Sequence, residues 1–389
     1  MRGARLGSRC RHSLPVMPRF RLALLLPLLL VLAQHGAVLH QLSQYDAAVD
    51  AYRKGVNAAG DPLQRARLRA LWCDAEEGAH RYPEALAQCD LAEQELGPAS
   101  DPPELAWLSA WLAVQHSRMS VLYWLNDTQT HARLVEQVRP YVEAHGSAEQ
   151  RASFLLGLVG FLMRRDRYHV TDETVEVARA ANAAAQEAEP SPFWWAVFDL
   201  GFVLLRHGDL DEATVVLRES LAEAERRGDV MTRSRALTYL MVAGRKRGDV
   251  EEVRHAVGPV IEAAREALLP EYEAMAIANR AWVAWRSGDK EAATADAQAA
   301  LDMWEGLPVR YIFDWMALWP LVAVALGSQQ IEQAADYARR MLPPPQQLLQ
   351  QPARTLAEDA IHARDAGQLA QAEELLRRAV RAAGDLGYL

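Results

Sequence analysis

The stretch "RHGDLDEA" (Arg206 to Ala213) places Asp209, Asp211 and Glu212 within four residues. That density of carboxylates suits a metal loop or a general acid–base pair. About forty residues on the chain reads "KRGDVEEV" (Lys246–Val253), and about forty further "RSGDKEAA" (Arg286–Ala293). A unique reactive site does not recur at a fixed interval, so the motif reads as punctuation between elements. The other chemical candidates are weaker still. His35 and His40 stand five apart, on different faces of a helix, and the eleven histidines keep no ligand spacing. No HExxH, GxSxG, CxxC, calcium loop or GxxxxGK[ST] phosphate loop occurs. The "RGD" of Arg247–Asp249 falls on one of the repeated turns. These residues predict no catalytic, cofactor-binding or metal site, and no enzyme.

The turns imply the elements around them. In "LGFVLLRHGDLDEATVVLRESL", Gly208 can leave a helix in the left-handed conformation, and Asp209 can cap the next helix. Glu212, three residues on, predicts a reciprocal capping box, as do Asp249 and Glu252; Asp289 has Ala292 at that place. Gly201 and Ala213 are small enough to let two antiparallel helices approach closely. The same template fits Tyr45/Ala48/Tyr52 with Gly36 upstream, Tyr82/Ala85/Cys89 with Cys73 upstream, and Val250/Val253/Val257. It fits again at Lys290/Ala293/Ala297, Ile331/Ala334/Ala338 and Leu369/Ala372/Leu376, with two degenerate units before residue 190. The spacing predicts an all-α chain of about nine helical hairpins with a period near forty. Pro-rich joints at 97–103, 189–193 and 343–352 interrupt it without adding a domain.

Composition agrees. Of 389 residues 50% are apolar, and nothing alternates with period two. Six of the 42 basic residues lie in the first twenty-one positions, so the remainder sets 36 bases against 51 acids. Such an acidic body argues against an extended nucleic-acid footprint. Cys10, Cys73 and Cys89 form no framework, which predicts a reduced compartment, with Cys73 and Cys89 as core residues of one hairpin. Residues 1–29 form a separate basic and apolar segment, and 30–389 the helical array. "RFRLALLLPLLLVLA" (Arg19–Ala33) is too short to span a bilayer comfortably and ends in a pattern that fits signal-peptide cleavage after Ala33. Cytoplasmic location is the first reading and export the alternative.

These phrases resemble the tetratricopeptide superfamily. The long period is similar to the helical arrays of bacterial signalling ATPases and nucleotide cyclases, and of the maltose-regulon activator. The resemblance implies an α-solenoid, a right-handed superhelix whose first helices line a concave groove. It implies a non-enzymatic protein- or peptide-binding scaffold in signalling or transcription control, with a separate NTPase or cyclase among its partners. It also implies a set of groove positions in this chain: Tyr123, Trp124, Arg164, Trp195, Phe198, Phe202, Arg206, Arg235, Arg245, Lys246, Trp282, Trp285, Arg286 and Trp319. Cations and rings along one track suit an extended acidic peptide or a sugar stacked on Trp. The second reading is therefore a small-molecule sensor. A structural reading stands beside both: several of the cations fall in last helical turns, where they complement the macrodipole.

Overall fold

The computed structural model describes residues 19–100, 103–188 and 195–389, with the helical backbone alone over 19–28. The joint at 189–193, part of that at 97–103, and residues 1–18 with Cys10 lie outside the described residues. The described chain is eighteen α-helices and no strand. They pair as hairpins: α1 (Arg19–Gln41) with α2 (Tyr45–Ala58), α3 (Pro62–Gly78) with α4 (Tyr82–Leu96), and α5 (Leu105–Leu125) with α6 (Thr128–His145). Next come α7 (Ala148–Arg165) with α8 (Asp172–Glu187), α9 (Ala196–His207) with α10 (Leu210–Arg227), and α11 (Val230–Arg247) with α12 (Val250–Glu266). The last are α13 (Pro270–Arg286) with α14 (Lys290–Glu305), α15 (Trp315–Gly327) with α16 (Ile331–Arg340), and α17 (Ala353–Asp365) with α18 (Leu369–Asp385). Each hairpin also packs on the next, so the stack shares one wall of apolar contacts.

The repeat positions explain the pairing. Ala213, Leu217 and Ser220 are fully buried on the second helix of their hairpin, as are Ala293 and Ala297, and Ala372 and Leu376. A Cβ on Gly201 would stand 2.9 Å from Leu217 Cγ, so only glycine lets α9 approach α10 this closely. Gly36 meets the ring of Tyr52 in the same way. α1 runs unbroken through residues 29 and 30, and Leu29 joins Ala48, Tyr52 and Leu68 in one cluster. Cys73 and Cys89 face each other across α3 and α4 with their sulfurs 3.3 Å apart, both fully buried. The contact with Cys89 and then burial push the Cys73 thiol well up, which makes it an unreactive core group.

The turns depart from expectation in one respect. Gly208, Gly248 and Gly288 all take positive φ, as a helix C-terminus requires. Asp249 accepts from the Glu252 amide at 2.9 Å and Asp289 from the Ala292 amide at 2.9 Å. Asp209 does not cap α10: its carboxylate takes His207 Nδ1 at 2.7 Å, and Glu212 instead grips Arg179 on α8 at 2.7 Å. Neither predicted capping box closes; one forms at Ser147 and Gln150, at the start of α7. For Glu212 the charged partner one helix away outcompetes the local amide.

Candidate functional site

The first helices of the hairpins, α3 to α15 in odd numbers, turn one face toward the axis of the coil. Near their C-termini this face carries cations. The Arg164 guanidinium lies 4.2 Å from the Tyr123 ring centroid and 5.5 Å from that of Tyr168. Arg206 lies 4.0 Å over Phe313, 5.2 Å from Phe202 and 5.6 Å from Tyr239. Arg245 donates to the Tyr388 carbonyl at 2.6 Å and the Met316 carbonyl at 3.0 Å, and Lys246 sits 5.7 Å from the Tyr388 ring. Burial pushes Arg245 down to about 9, and burial followed by the neighbouring Arg206 and Arg245 pushes Lys246 down to about 8. Among the described residues none of these four cations forms an ion pair. Arg164 Nε and Arg206 Nε and Nη2 are buried without an acceptor.

Three stretches of the same chain fill the space the cations face. The first, residues 306–314 between α14 and α15, inserts Ile312 and Phe313 into the main core and rests Val309 on the α3–α5 cluster. The second is the stretch 341–352 between α16 and α17. There the Gln347 amide donates to the Ile312 carbonyl at 2.9 Å and the Leu348 amide to the Arg167 carbonyl at 2.8 Å. Arg167 in turn donates to the carbonyls of Gln346 at 2.8 Å and Leu342 at 2.7 Å. The Gln347 side-chain Oε1 accepts from Arg206 at 3.1 Å and Trp315 Nε1 at 2.8 Å, while Gln346 Nε2 donates to the Tyr311 main-chain carbonyl at 2.8 Å. The third is the tail after α18, where Tyr388 packs edge-on to Trp315 and its hydroxyl accepts from the Gln350 amide at 3.2 Å.

Toward the N-terminal hairpins the axial face is acidic. Glu77 accepts from Ser120 at 2.8 Å and Trp124 Nε1 at 2.9 Å, and burial with the nearby Asp74 pushes it up to about 7. Burial raises Asp74 to about 6 and Asp199 to about 7. These carboxyls keep some access to water, yet protein surrounds them on the axis, and the surroundings set their protonation. Arg235 stands among them. Burial opposes its charge, but Tyr272, Glu271, Asp199 and Glu77 together hold it above the ordinary arginine range. His80 Nε2 comes within 3.7 Å of Glu271, joining the second hairpin to the seventh across the axis. A cavity of about 30 Å³ remains between Arg164, Glu271, Tyr239 and Tyr311, room for roughly two waters and far too small for a sugar.

The predicted groove positions thus separate by burial. Tyr123, Trp124, Arg164, Phe202, Arg206 and Arg235 lie around the axis and are brought together there. Arg245 and Trp282 are fully buried beside each other, and the exposed Arg286 also approaches the Trp282 ring, at 5.2 Å from its centroid. Trp319 is fully buried within the core, Phe198 stacks on Phe202, and Trp285 packs at the core edge. Trp195 starts α9 beside the small cluster of Leu156 and Ala196. Trp282, Trp319 and Arg245 offer no surface to a ligand in this conformation. Sequence reasoning missed Arg167, Tyr168, Phe313, Gln346, Gln347 and Tyr388. For Gln346 and Gln347 the signal was the Pro-rich joint at 343–352, which read as a helix stop and serves as a filler. Among the described residues no group of His, Cys, Asp or Glu could hold a metal ion, and no helix is long and apolar enough to cross a membrane.

No protein-family model matches the chain, and no curated protein does. Solved structures do match. The apo form of RapI aligns at 12% identity over 82% of this chain and 97% of its own, with a TM-score of 0.52. The APC/C hetero-tetramer Cut9-Hcn1 aligns at 12% identity over 90% of this chain and 75% of that one, with a TM-score of 0.50. The fold is a tetratricopeptide-like α-solenoid. A Rap protein complexed with Competence and Sporulation Factor also aligns, at 13% identity over 92% of this chain and 98% of its own, with a TM-score of 0.49. This solenoid is wound tightly enough for loops of its late hairpins to reach its early ones.

Proposed function

We propose that the protein is a non-enzymatic binding scaffold whose concave groove takes an extended polypeptide. It serves as the regulatory or interaction part of a bacterial signalling or transcription-control system. A separate NTPase or cyclase is a candidate partner, and the cytoplasm the compartment. One observation carries the reading: residues 346–350 run along the groove held by main-chain hydrogen bonds and by side chains that grip Gln346 and Gln347. A surface that holds one extended segment this way has the geometry to hold another.

The test is selection of a random peptide library on the immobilised full chain, followed by calorimetry and hydrogen exchange. The expected result is peptides that bind one to one and protect amides of the odd-numbered helices. Peptides that protect only the outer, even-numbered helices would overturn the proposal, as would an empty selection. The alternative of a sugar or metabolite sensor needs far more room than the axial cavity provides; the same calorimetry with a metabolite panel checks it. Mass spectrometry of the mature N-terminus distinguishes a retained α1 from cleavage after Ala33.

A further inference from the structure

The groove holds an electrostatic mismatch. Arg164, Arg206 and Arg245 are buried, with relative exposures of 5%, 3% and 0%, and none is paired with an acid among the described residues. Lys246 adds a fourth cation beside them. A buried charge without a counterion loses its hydration with no compensating attraction, and most proteins avoid that arrangement. Arg245 and Lys246 meet the C-terminal tail and Arg164 meets tyrosine rings, while Arg206 faces the neutral segment 342–350. It supplies one side-chain oxygen to Arg206, and two of that guanidinium's nitrogens still lack acceptors. Arg164 receives only the faces of tyrosine rings. The Gln347 side-chain amide donates to no described residue, so a carboxylate at that place would forfeit no hydrogen bond and would gain the free donors of Arg206.

From this mismatch, and resting on the scaffold reading above, we infer that the groove's intended occupant is an acidic peptide in extended conformation. Residues 347–350, which follow the turn at 341–346, stand in for it in cis. The segment matches the shape of the ligand and lacks its charge. It keeps the groove dry and the solenoid closed, and it yields to a competitor that brings a carboxylate to the Gln347 position. Charge complementarity sets the partner's chemistry, and the seated segment sets its conformation. The acidic exterior of the protein slows the approach of such a peptide, so discrimination resides in the groove itself.

The experiment uses two variants and two synthetic peptides. In the first variant a Gly/Ser linker of equal length replaces residues 343–350. The peptides carry the native sequence of residues 342–351 and the same sequence with Gln347→Glu. The linker variant should bind the Glu peptide about tenfold or more tightly than the native one, with affinity falling steeply as salt rises. The intact chain should bind the Glu peptide more weakly than the linker variant does. Equal affinity for the two peptides overturns the inference, as does no binding by a linker variant with native helical circular dichroism. Equal competition by inorganic phosphate or a nucleoside triphosphate would mark a general anion site and overturn it too. If the linker variant fails to fold, full-length Gln347→Glu decides: its melting temperature should rise and its affinity for the Glu peptide fall about tenfold. An unchanged or lower melting temperature overturns the inference. If these peptides fail while library peptides still protect the odd-numbered helices, the scaffold function stands and only the acidic, cis-held reading falls.

Discussion

At the scale of single residues the axis of the solenoid is governed by desolvation. Asp199 illustrates it: burial raises its carboxyl to about 7, against which the nearby Arg235 acts only in part. A carboxyl whose folded pKa exceeds its unfolded value binds a proton in the folded state that the unfolded chain has already lost. Its contribution to stability therefore declines as pH rises from about 4 to about 7. Asp199→Asn should leave the melting temperature unchanged at pH 5, where Asp199 holds its proton, and raise it by about 2–4 °C at pH 8. An equal gain at both values in scanning calorimetry would show that charge is not the cause. Residue types alone carried part of this chemistry, since the cations of the groove were visible as a track. Their lack of acid partners was not, because counterions come from anywhere in a fold.

At the scale of the helix, two positions that look alike in sequence behave differently. Asp249 caps α12 through the Glu252 amide, whereas Asp209 spends its carboxylate on half-buried His207. Asp249→Ala should therefore cost about 1 kcal/mol in guanidinium denaturation, and Asp209→Ala only a few tenths. Equal losses would contradict the assigned hydrogen bonds. The approach of α9 to α10 gives a second test. Gly201→Ala gains about 1 kcal/mol of helix propensity. It also drives a methyl against the fully buried Leu217, for which overpacking typically costs about 1–3 kcal/mol. The expected net effect is a loss that shrinks when Leu217→Ala is present, a coupling that a double-mutant cycle measures. A Gly201→Ala protein more stable than the parent would show that the helices can separate freely.

Over the whole molecule, contacts across the axis set this chain apart from an open solenoid, in which each repeat touches only its neighbours. Arg167, in the turn after α7, holds the carbonyls of Leu342 and Gln346, and His80 reaches Glu271. Such closure couples early hairpins to late ones, so the described hairpins should melt together. Arg167→Ala removes two of the ties. The amides of Gln347 and Leu348 should then exchange at least about tenfold faster, while the helical amides of α7 and α8 keep their protection. Unchanged exchange at Gln347 would mean that the groove segment is held by packing alone. The same variant should bind a groove peptide more tightly, because the stand-in leaves more easily.

The sequence by itself determined the helical hairpins, their number and their pairing. The signals there are local: a glycine at a turn, an acid at the next helix start, small residues one turn apart. It also indicated which faces look inward, since a period near forty keeps equivalent positions on one side. Only the tertiary structure decided that this inner side is filled. Trp282 and Trp319 are core and not lining, and a stretch that looked like a Pro-rich stop is gripped by arginines from hairpins far away in the chain. The reason is physical. Curvature accumulates from small rotations at each interface, none of which is written in any single repeat, and their sum sets whether the axis is an open groove or a closed one.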